Sequence, residues 1–269
     1  MSLTQISILG CGWLGFPLAI SLQRKGYQIQ GSTTSEEKTA VLKNADIAPF
    51  LIRLNTEKIS GEAAAFLKGS QLLIINVPPG MRGNSPELFS SKIEKLLPFI
   101  EKSTVKNVLF VSSTSVFGDA QGVVDENTLP EPDTFSGKDL WKTEKLLQAN
   151  PHFKTTIIRF GGLIGEDRHP VYYLAGKSNL KNGKSPVNLI HRNDCIELIE
   201  KIIEFNYWGK TVHGVFPYHP AKEKYYINQA VVKNLPLPHF ENSDNLSQKK
   251  VISCVIGKGL LFAFHNPIE

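Results

Sequence analysis

The sequence predicts an α/β protein built on a doubly wound parallel sheet of about seven strands. Two observations predict this fold. Short apolar runs alternate with amphipathic helical stretches along the first part of the chain, and the first apolar run leads into a glycine-rich turn that opens a helix. The predicted strands are 5–10, 27–33, 48–55, 71–80, 153–165 and 210–217, together with a fifth strand in chain order that lies with its following loop in 107–118. The predicted helices are 13–26, 35–45, 62–68, 86–103, 138–149, 192–206 and 222–234.

Length and composition predict one compact unit. The chain has 269 residues, of which 41% are hydrophobic and 20% charged, as in a globular protein with a sizeable core. No repeat or linker divides the sequence, so we expect a single domain over 1–269. Its core would comprise mainly 1–165 with 192–217, and parts of 166–191 and 218–269 would form a small C-terminal substrate lobe.

Charge and cysteine content exclude several classes of function. The net charge of +5 is spread along the chain without a basic block, which argues against a nucleic-acid partner. Three widely spaced cysteines, Cys11, Cys195 and Cys254, suggest neither a disulfide framework nor a metal site. The first residues show no basic segment followed by an apolar run and a small-residue cleavage site, so no leader peptide is expected, and no apolar run reaches the ~18 residues of a membrane span. A cytoplasmic protein without a membrane partner is expected.

The first motif with chemical content is the glycine-rich turn ILGCGWLG. Gly10, Gly12 and Gly15 form a G-x-G-x-x-G pattern between a strand and a helix, which is typical of a Rossmann-type dinucleotide site. The helix N-terminus would present free N–H groups to a pyrophosphate, and Trp13 and Leu14 would contact it from the same turn. The alternative is a glycine-rich turn that binds no ligand.

Two further strand ends are predicted to flank the cofactor. NAD sites usually carry a carboxylate at the tip of the second strand, where this chain has Ser32, Thr33 and Thr34. This favours NADP over NAD, although no arginine lies in that stretch. Thr34 could instead form a helix capping box with Glu37. The segment 76–78 ends the fourth strand at the same edge, where a proline turn is the structural alternative. Its residues are Asn76, Val77 and Pro78.

Taken together, the motifs GCGWLG, VSSTSVFGD, IIRFGGLIGEDRHP and NLIHRND resemble the extended short-chain dehydrogenase/reductase superfamily. Within it, the chain is similar to atypical members of the NAD-dependent epimerase/dehydratase and nucleoside-diphosphate-sugar epimerase type. The resemblance implies that Ser112 contacts the cofactor and that Ser113 is catalytic, binding the reacting hydroxyl or carbonyl. For Ser113, a hydroxyl bonded only to backbone is the alternative.

The resemblance also implies a tyrosine and a lysine, four residues apart, on the helix that follows. The register set by Glu144 places Ser136 at the tyrosine position and Leu140 at the lysine position. Lys138 and Lys142 lie two residues away and would point to another face of the helix. The usual proton donor is therefore missing, and hydride transfer is in question.

Other side chains are candidates to replace it. His169 and Tyr172 lie on or beside the loop where this superfamily meets its substrate, and Arg168 could pair with an anionic substrate. For His191 we expect a structural role, with Asp194 as its partner or as a helix cap.

Two functions remain as hypotheses. The favoured one is an NAD(P)-dependent oxidoreductase or epimerase with a degenerate catalytic helix, acting on a small molecule such as a nucleotide sugar or a carbonyl compound. The alternative is a sensor or regulatory protein that binds nicotinamide nucleotides without turnover. A structural protein that no longer holds nucleotide is disfavoured by the intact glycines. The resemblance also implies a homodimer that packs through helices 86–103 and 138–149.

Overall fold

The computed structural model describes residues 4–78, 87–241, 250–253 and 260–269. Pro79 and Gly80, at the end of the predicted fourth strand, and Cys254 lie outside the described residues.

The described strands and helices follow the predicted alternation. The strands are β1 (Gln5–Leu9), β2 (Gln28–Thr33), β3 (Ala48–Leu51), β4 (Arg53–Leu54), β5 (Ile59–Ser60), β6 (Leu72–Ile75), β7 (Asn107–Ser113), β8 (Val123–Val124), β9 (Lys154–Phe160), β10 (Gly162–Ile164), β11 (Leu189–His191), β12 (Thr211–Gly214) and β13 (Val251–Ile252). The helices are α1 (Gly15–Arg24), α2 (Glu36–Asn44), α3 (Ala63–Leu67), α4 (Phe89–Glu101), α5 (Phe135–Gln148), α6 (Val171–Leu174), α7 (Arg192–Glu204) and α8 (Lys222–Val232).

The central sheet confirms the predicted fold class. Seven strands pair in the order β12-β9-β7-β6-β1-β2-β3, and every pairing is parallel. The chain proceeds from β1 to β2 and β3 on one side, then returns to β6 on the other side of β1. Strand order therefore reverses between β1 and β6, and ligands bind at such a switch point in open α/β sheets.

Helices cover both faces of this sheet because its inner strands are apolar on both sides. All four residues of β6 are buried, as expected for a strand inside a parallel sheet. Helices α1 and α7 pack on one face and helices α3, α4 and α5 on the other. From α1 and α7, the fully buried side chains of this face include Leu18, Leu22, Leu198, Ile199 and Ile202.

Two predicted strands are each divided in the structure. Strand 48–55 stops at Ile52, and the following β4 turns back to pair with β5 in an antiparallel hairpin. Strand 153–165 is interrupted at Gly161, after which β10 leaves the central sheet and pairs with β11. A Cβ at Gly161 would lie 2.6 Å from the carbonyl oxygen of Asn188, so these two segments of the backbone approach each other closely.

A third hydrophobic cluster lies beside the sheet, among β10, β11, α6 and α8. The last residues of the chain join it through Ile268 and are also bound to α7. The carboxylate of Asp194 accepts hydrogen bonds from the backbone nitrogen of His265 at 3.1 Å and from the side-chain nitrogen of Asn266 at 2.6 Å. His191 caps α7 itself, since its Nδ1 accepts from the backbone nitrogen of Asn193. Asp194 is therefore neither the partner of His191 nor the cap.

Helix α5 starts three residues earlier than the pattern predicts. Thr134 is its N-cap, and the hydroxyl accepts a hydrogen bond from the backbone nitrogen of Gly137 at 3.1 Å. Farther along, the carboxylate of Asp139 accepts from the first residues of α4, Phe89 and Ser90, and so joins the two helices. Among the described helices, none has the length and apolar character that crossing a membrane requires.

Candidate nucleotide-binding crevice and active-site cleft

Two cavities meet at the switch point. One, of about 300 Å³, lies over the end of β2, and the other, of about 470 Å³, lies over the end of β7. Both are lined by Gly12 and by the three residues that follow the end of β6, Asn76, Val77 and Pro78. The sequence predicted all four at one edge of the sheet, and the structure brings them together there. We refer to the two cavities as the β2 cavity and the β7 cleft.

The three glycines of the turn have different roles. Gly10 has a φ of +104°, which L side chains rarely adopt. A Cβ at Gly15 would collide with the carbonyl oxygen of Gly10 and would lie 2.8 Å from the side-chain nitrogen of Asn76. At Gly12 a Cβ would meet nothing within 4 Å. Gly10 and Gly15 therefore shape the turn, whereas Gly12 leaves its outer side open where the two cavities meet.

Polar side chains from two neighbouring strand ends brace this turn. The side-chain nitrogen of Asn76 donates to the carbonyl oxygen of Gly10 at 3.1 Å. The hydroxyl of Ser32 accepts from the backbone nitrogen of Gly10 at 2.9 Å. Cys11 is buried beneath the turn, and burial raises the pKa of its thiol to about 12. Asn76 and Ser32 both line the β2 cavity, and their hydrogen bonds to the backbone of Gly10 stabilise the conformation of the turn.

The tip of β2 carries hydroxyls, as predicted, and no capping box. The hydroxyl of Thr33 accepts from the backbone nitrogen of Ser35 at 3.2 Å, and Thr34 is exposed at the rim of the β2 cavity. Helix α2 has Ser35 as its N-cap and no side-chain capping bond. The capping box that the sequence allowed between Thr34 and Glu37 is therefore wrong.

The structure adds cations at this tip that sequence reasoning missed. Lys38 and Lys92 line the β2 cavity, and Nη2 of Arg53 donates to the carbonyl oxygen of Thr34 at 3.0 Å. Arg53 is distant from β2 in the sequence, and it reaches Thr34 because β3 pairs with β2 in parallel, with Leu51 opposite Thr33.

The β7 cleft is lined mainly by hydroxyls and apolar side chains. Ser113 lines the cleft, and its hydroxyl accepts a hydrogen bond from the backbone nitrogen of Ser115 at 3.2 Å, capping a short 3-10 turn. The charged side chain on the described lining is that of Arg168. In the described parts of the chain, no group of three or more His, Cys, Asp or Glu is arranged to hold a metal. The other lining residues of the cleft include Trp13, Leu14, Val111, Ser112, Ser136, Leu140 and Leu163.

The hydroxyl of Ser112 belongs to a buried hydrogen-bond network. Its hydroxyl donates to Oε1 of Glu144 at 2.6 Å, and Nη2 of Arg159 donates to Oε2 of the same carboxylate at 2.7 Å. All three residues are buried, and the Arg159 guanidinium also lies 5.0 Å from the centre of the Phe117 ring. The end of β7 is thus fixed to α5 and β9 by a charged network directly behind the cleft.

Helix α5 presents Ser136 and Leu140 to the cleft beside Ser113. These two residues are four apart and share a helix face. Lys142 points elsewhere, since its Nζ lies 3.3 Å from a carboxylate oxygen of Glu94 on α4.

His169 and Tyr172 lie away from the cleft. His169 is 5% exposed, its Nδ1 accepts from the backbone nitrogen of Val171, and its Nε2 lies 3.0 Å from the hydroxyl of Tyr225. Burial lowers the pKa of His169 to about 4. Tyr172 is half exposed on α6, with its ring near the ammonium group of Lys233. Neither residue lines the β7 cleft among the described residues.

Trp13 connects the glycine turn to the loop after β10. Its Nε1 donates to the carboxylate of Asp167 at 2.9 Å, and this bond lowers the pKa of Asp167. The guanidinium groups of Arg168 and Arg192 lie 4.9 and 4.7 Å from the centre of the indole ring. These contacts join segments far apart in the sequence, so the pattern of residues gave no sign of them.

Comparison with solved structures supports this description of the fold. UDP-glucuronic acid 4-epimerase from Bacillus cereus, solved in complex with NAD, has a TM-score of 0.80 and 17% identity, with 98% of this chain and 92% of that chain covered. MoeE5, solved in complex with UDP-glucose and NAD, has a TM-score of 0.75 and 16% identity, with 98% and 94% covered. The fold is therefore that of the NAD-dependent epimerases and dehydratases.

One curated relative is more similar in sequence. Protein YeeZ of Escherichia coli strain K12 is 33% identical over 249 residues, which cover 92% of this chain and 90% of YeeZ. The chain belongs to the YeeZ family. No family model matches the sequence.

Proposed function

We propose that the protein binds a nicotinamide dinucleotide across the switch point, with the pyrophosphate on the backbone of the glycine turn. The observation that carries this proposal is the junction of the two cavities over Gly12, where backbone is exposed without a side chain. The adenosine would occupy the β2 cavity, and the nicotinamide would enter the β7 cleft beside Ser113. The N-terminus of α1 stabilises the negative charge of the phosphates.

NADP is the favoured coenzyme. The described lining of the β2 cavity contains no carboxylate, whereas NAD-specific sites use one to hold the ribose hydroxyls. Hydroxyls and cations are present instead. A 2′-phosphate would therefore meet donors rather than a like charge in this cavity.

The favoured activity is that of an oxidoreductase or epimerase on a small molecule. The nicotinamide, when bound, supplies or accepts a hydride. Within the chain, Ser113 would orient the reacting oxygen, Arg168 would hold an anionic part of the substrate, and Leu140 and Leu163 would exclude water. The B. cereus enzyme and MoeE5 are described with nucleotide-sugar ligands, which supports a substrate of that class or a related carbonyl compound.

A non-catalytic nucleotide sensor is the second candidate, and one observation favours it. Ser136 and Leu140 occupy the face of α5 that lines the cleft, in the proposed places of the usual tyrosine and lysine. No tyrosine, lysine, histidine or carboxylate lies on the described lining of the β7 cleft. Proton transfer would then depend on a serine, on a water molecule or on the substrate itself.

Two measurements test the proposal. Calorimetric titration with NADPH and NADH tests binding, and the absence of heat with either coenzyme would overturn it. Turnover of NADPH across a panel of carbonyl compounds and nucleotide sugars then distinguishes the enzyme from the sensor. A sensor would bind the coenzyme tightly and leave every member of the panel unchanged.

A further inference from the structure

Another cavity, of about 300 Å³, lies between helix α8 and the turn that precedes β8. Its described lining shares no residue with the β2 cavity or the β7 cleft. Lys222 and Tyr226 line it from α8, and Asp119 lines it from the turn. Lys250, directly before β13, is the remaining charged residue of this lining. We refer to this cavity as the α8 pocket.

The phenol of Tyr226 is buried beside the α8 pocket without a hydrogen-bond partner in the described part of the chain. Tyr226 is 5% exposed, and its ring makes edge contacts with the rings of Tyr225 and His169. The hydroxyl of Tyr225 is hydrogen-bonded to His169 and to the carbonyl oxygen of Ile268. Burial alone raises the pKa of Tyr226 to about 12, so its hydroxyl stays protonated and can donate. A buried donor of this kind is costly unless a ligand or water accepts its proton.

Two lysines bring positive charge to the same pocket. The backbone nitrogen of Lys222 donates to the carbonyl oxygen of Ser185 at 2.8 Å, which fixes the first turn of α8 at the pocket wall. The side chain of Lys222 forms no ion pair with any described residue. Nζ of Lys250 donates to the carbonyl oxygen of Phe117 and lies 3.6 Å from a carboxylate oxygen of Asp119. The described lining therefore carries two positive charges and one negative charge.

We propose that Tyr226, Lys222 and Lys250 bind a phosphate group of a small molecule in the α8 pocket. One phenol and two ammonium groups supply donors from separate segments of the chain. Phosphate suits this set because its oxygens can accept from all three groups and its charge of −1.5 to −2 matches the excess of cations. This site goes beyond the proposed dinucleotide binding and does not depend on it, since the two share no lining residue.

Calorimetric titration of the full-length protein with inorganic phosphate, at constant ionic strength, tests the site. Phosphate is also attracted to the glycine turn, so the titrations are repeated in the Gly12→Asp variant, in which that position is blocked. Phosphate should bind in both proteins. In the Gly12→Asp background, Tyr226→Phe and Lys222→Gln should each weaken phosphate binding by about tenfold, because each removes a bond to a charged group.

Lys224→Gln is the matched control. Lys224 is exposed on the same helix and carries the same charge, but it does not line the α8 pocket. Its replacement should leave the phosphate affinity unchanged. Glucose 1-phosphate, titrated in the same way, distinguishes the two sources of the group. Tighter binding than that of inorganic phosphate identifies a phosphate ester, and equal or weaker binding identifies the free ion.

The melting temperature of Tyr226→Phe without phosphate gives a second test. It should equal that of the wild type, because the substitution removes a hydroxyl that makes no hydrogen bond with the described residues. A lower melting temperature, equal phosphate affinity in Tyr226→Phe and its Gly12→Asp parent, or no phosphate binding to that parent would each overturn the site. NADPH affinity should be the same in Tyr226→Phe and the wild type, so a failure to bind NADPH would overturn dinucleotide binding alone.

Discussion

An added side chain would meet open space at Gly12 and the backbone of the turn at Gly15. Substitutions at these two positions therefore test coenzyme binding and folding separately. A side chain at Gly12 would enter open space over the turn, so Gly12→Asp should keep the wild-type melting temperature. It should weaken NADPH binding by at least about tenfold, because its carboxylate would occupy and repel the phosphate position. Thermal unfolding and calorimetric titration of the same sample measure both effects.

Gly15→Ala is the complementary change. Its Cβ would collide with the turn itself, at Gly10 and Asn76. We expect a loss of about 1–3 kcal/mol of folding free energy, measured by urea unfolding, because overpacking forces the backbone to shift. The assignment of the glycine turn as the phosphate-binding site is wrong if the Gly12→Asp variant binds NADPH with wild-type affinity.

Ser113 is the residue on which the enzymatic hypothesis depends most. Once a substrate is found, Ser113→Ala should lower kcat by about 10²-fold with coenzyme affinity unchanged, as expected when a donor to a reacting oxygen is removed. Ser115→Ala removes another hydroxyl of the cleft and serves as the control. Full activity in Ser113→Ala would mean that its hydroxyl only caps the 3-10 turn.

Residues in the glycine turn and at the ends of predicted parallel strands could be placed from the sequence, whereas individual side-chain contacts between distant segments could not. The spacing of Gly10, Gly12 and Gly15 was sufficient to place the turn, because its geometry is local. Arg53 was missed because its contact with Thr34 depends on the register in which β3 pairs with β2. The predicted catalytic role of His169 did not take Tyr225 on α8 into account. The hydroxyl of Tyr225 lies within hydrogen-bonding distance of Nε2 of His169, and the histidine is buried there.

At the scale of elements, the buried pair of Glu144 and Arg159 joins α5 to β9. Glu144→Gln should lower the free energy of unfolding by about 3–5 kcal/mol, because Arg159 would remain buried without its counter-ion. Glu94→Gln, in the exposed pair with Lys142, should cost less than about 1 kcal/mol. Urea unfolding of both variants measures the difference. Equal stability of Glu144→Gln and the wild type would contradict a structural role for this pair.

The order of the central strands and main helices followed from the hydrophobic pattern, whereas several of their ends did not. Helix α7 has a regular apolar period, and its predicted bounds differ from the observed ones by two residues. Strand 153–165 was predicted as continuous because Gly161 and Gly162 lie within an apolar run. The break arises because the backbone at Gly161 approaches the carbonyl oxygen of Asn188, a contact that exists only in the folded chain.

At the scale of the whole molecule, two buried histidines predict how stability depends on pH. Burial lowers the pKa of His169 and of His213 to about 4, from an ordinary value of 6.5. Between these two pH values both histidines are neutral in the folded protein, whereas in the unfolded chain they bind protons. The free energy of unfolding should therefore fall as pH decreases from 6.5 to about 4, by up to about 1.4 kcal/mol per pH unit for each histidine.

Replacement by glutamine tests this dependence. His169→Gln should flatten the fall between these pH values, measured by urea unfolding at several pH values. His152→Gln, at an exposed position, should leave the slope as in the wild type. An unchanged slope in His169→Gln would show that this histidine does not control acid stability.

The whole account depends on the crevice between β1 and β6 as the binding site of a dinucleotide. A crystal structure of the protein with NADPH tests this most directly. The account predicts the pyrophosphate on the backbone nitrogens of the glycine turn near Gly12, the adenosine in the β2 cavity and the nicotinamide in the β7 cleft beside Ser113. NADPH bound at another surface, with the glycine turn unoccupied, would contradict it.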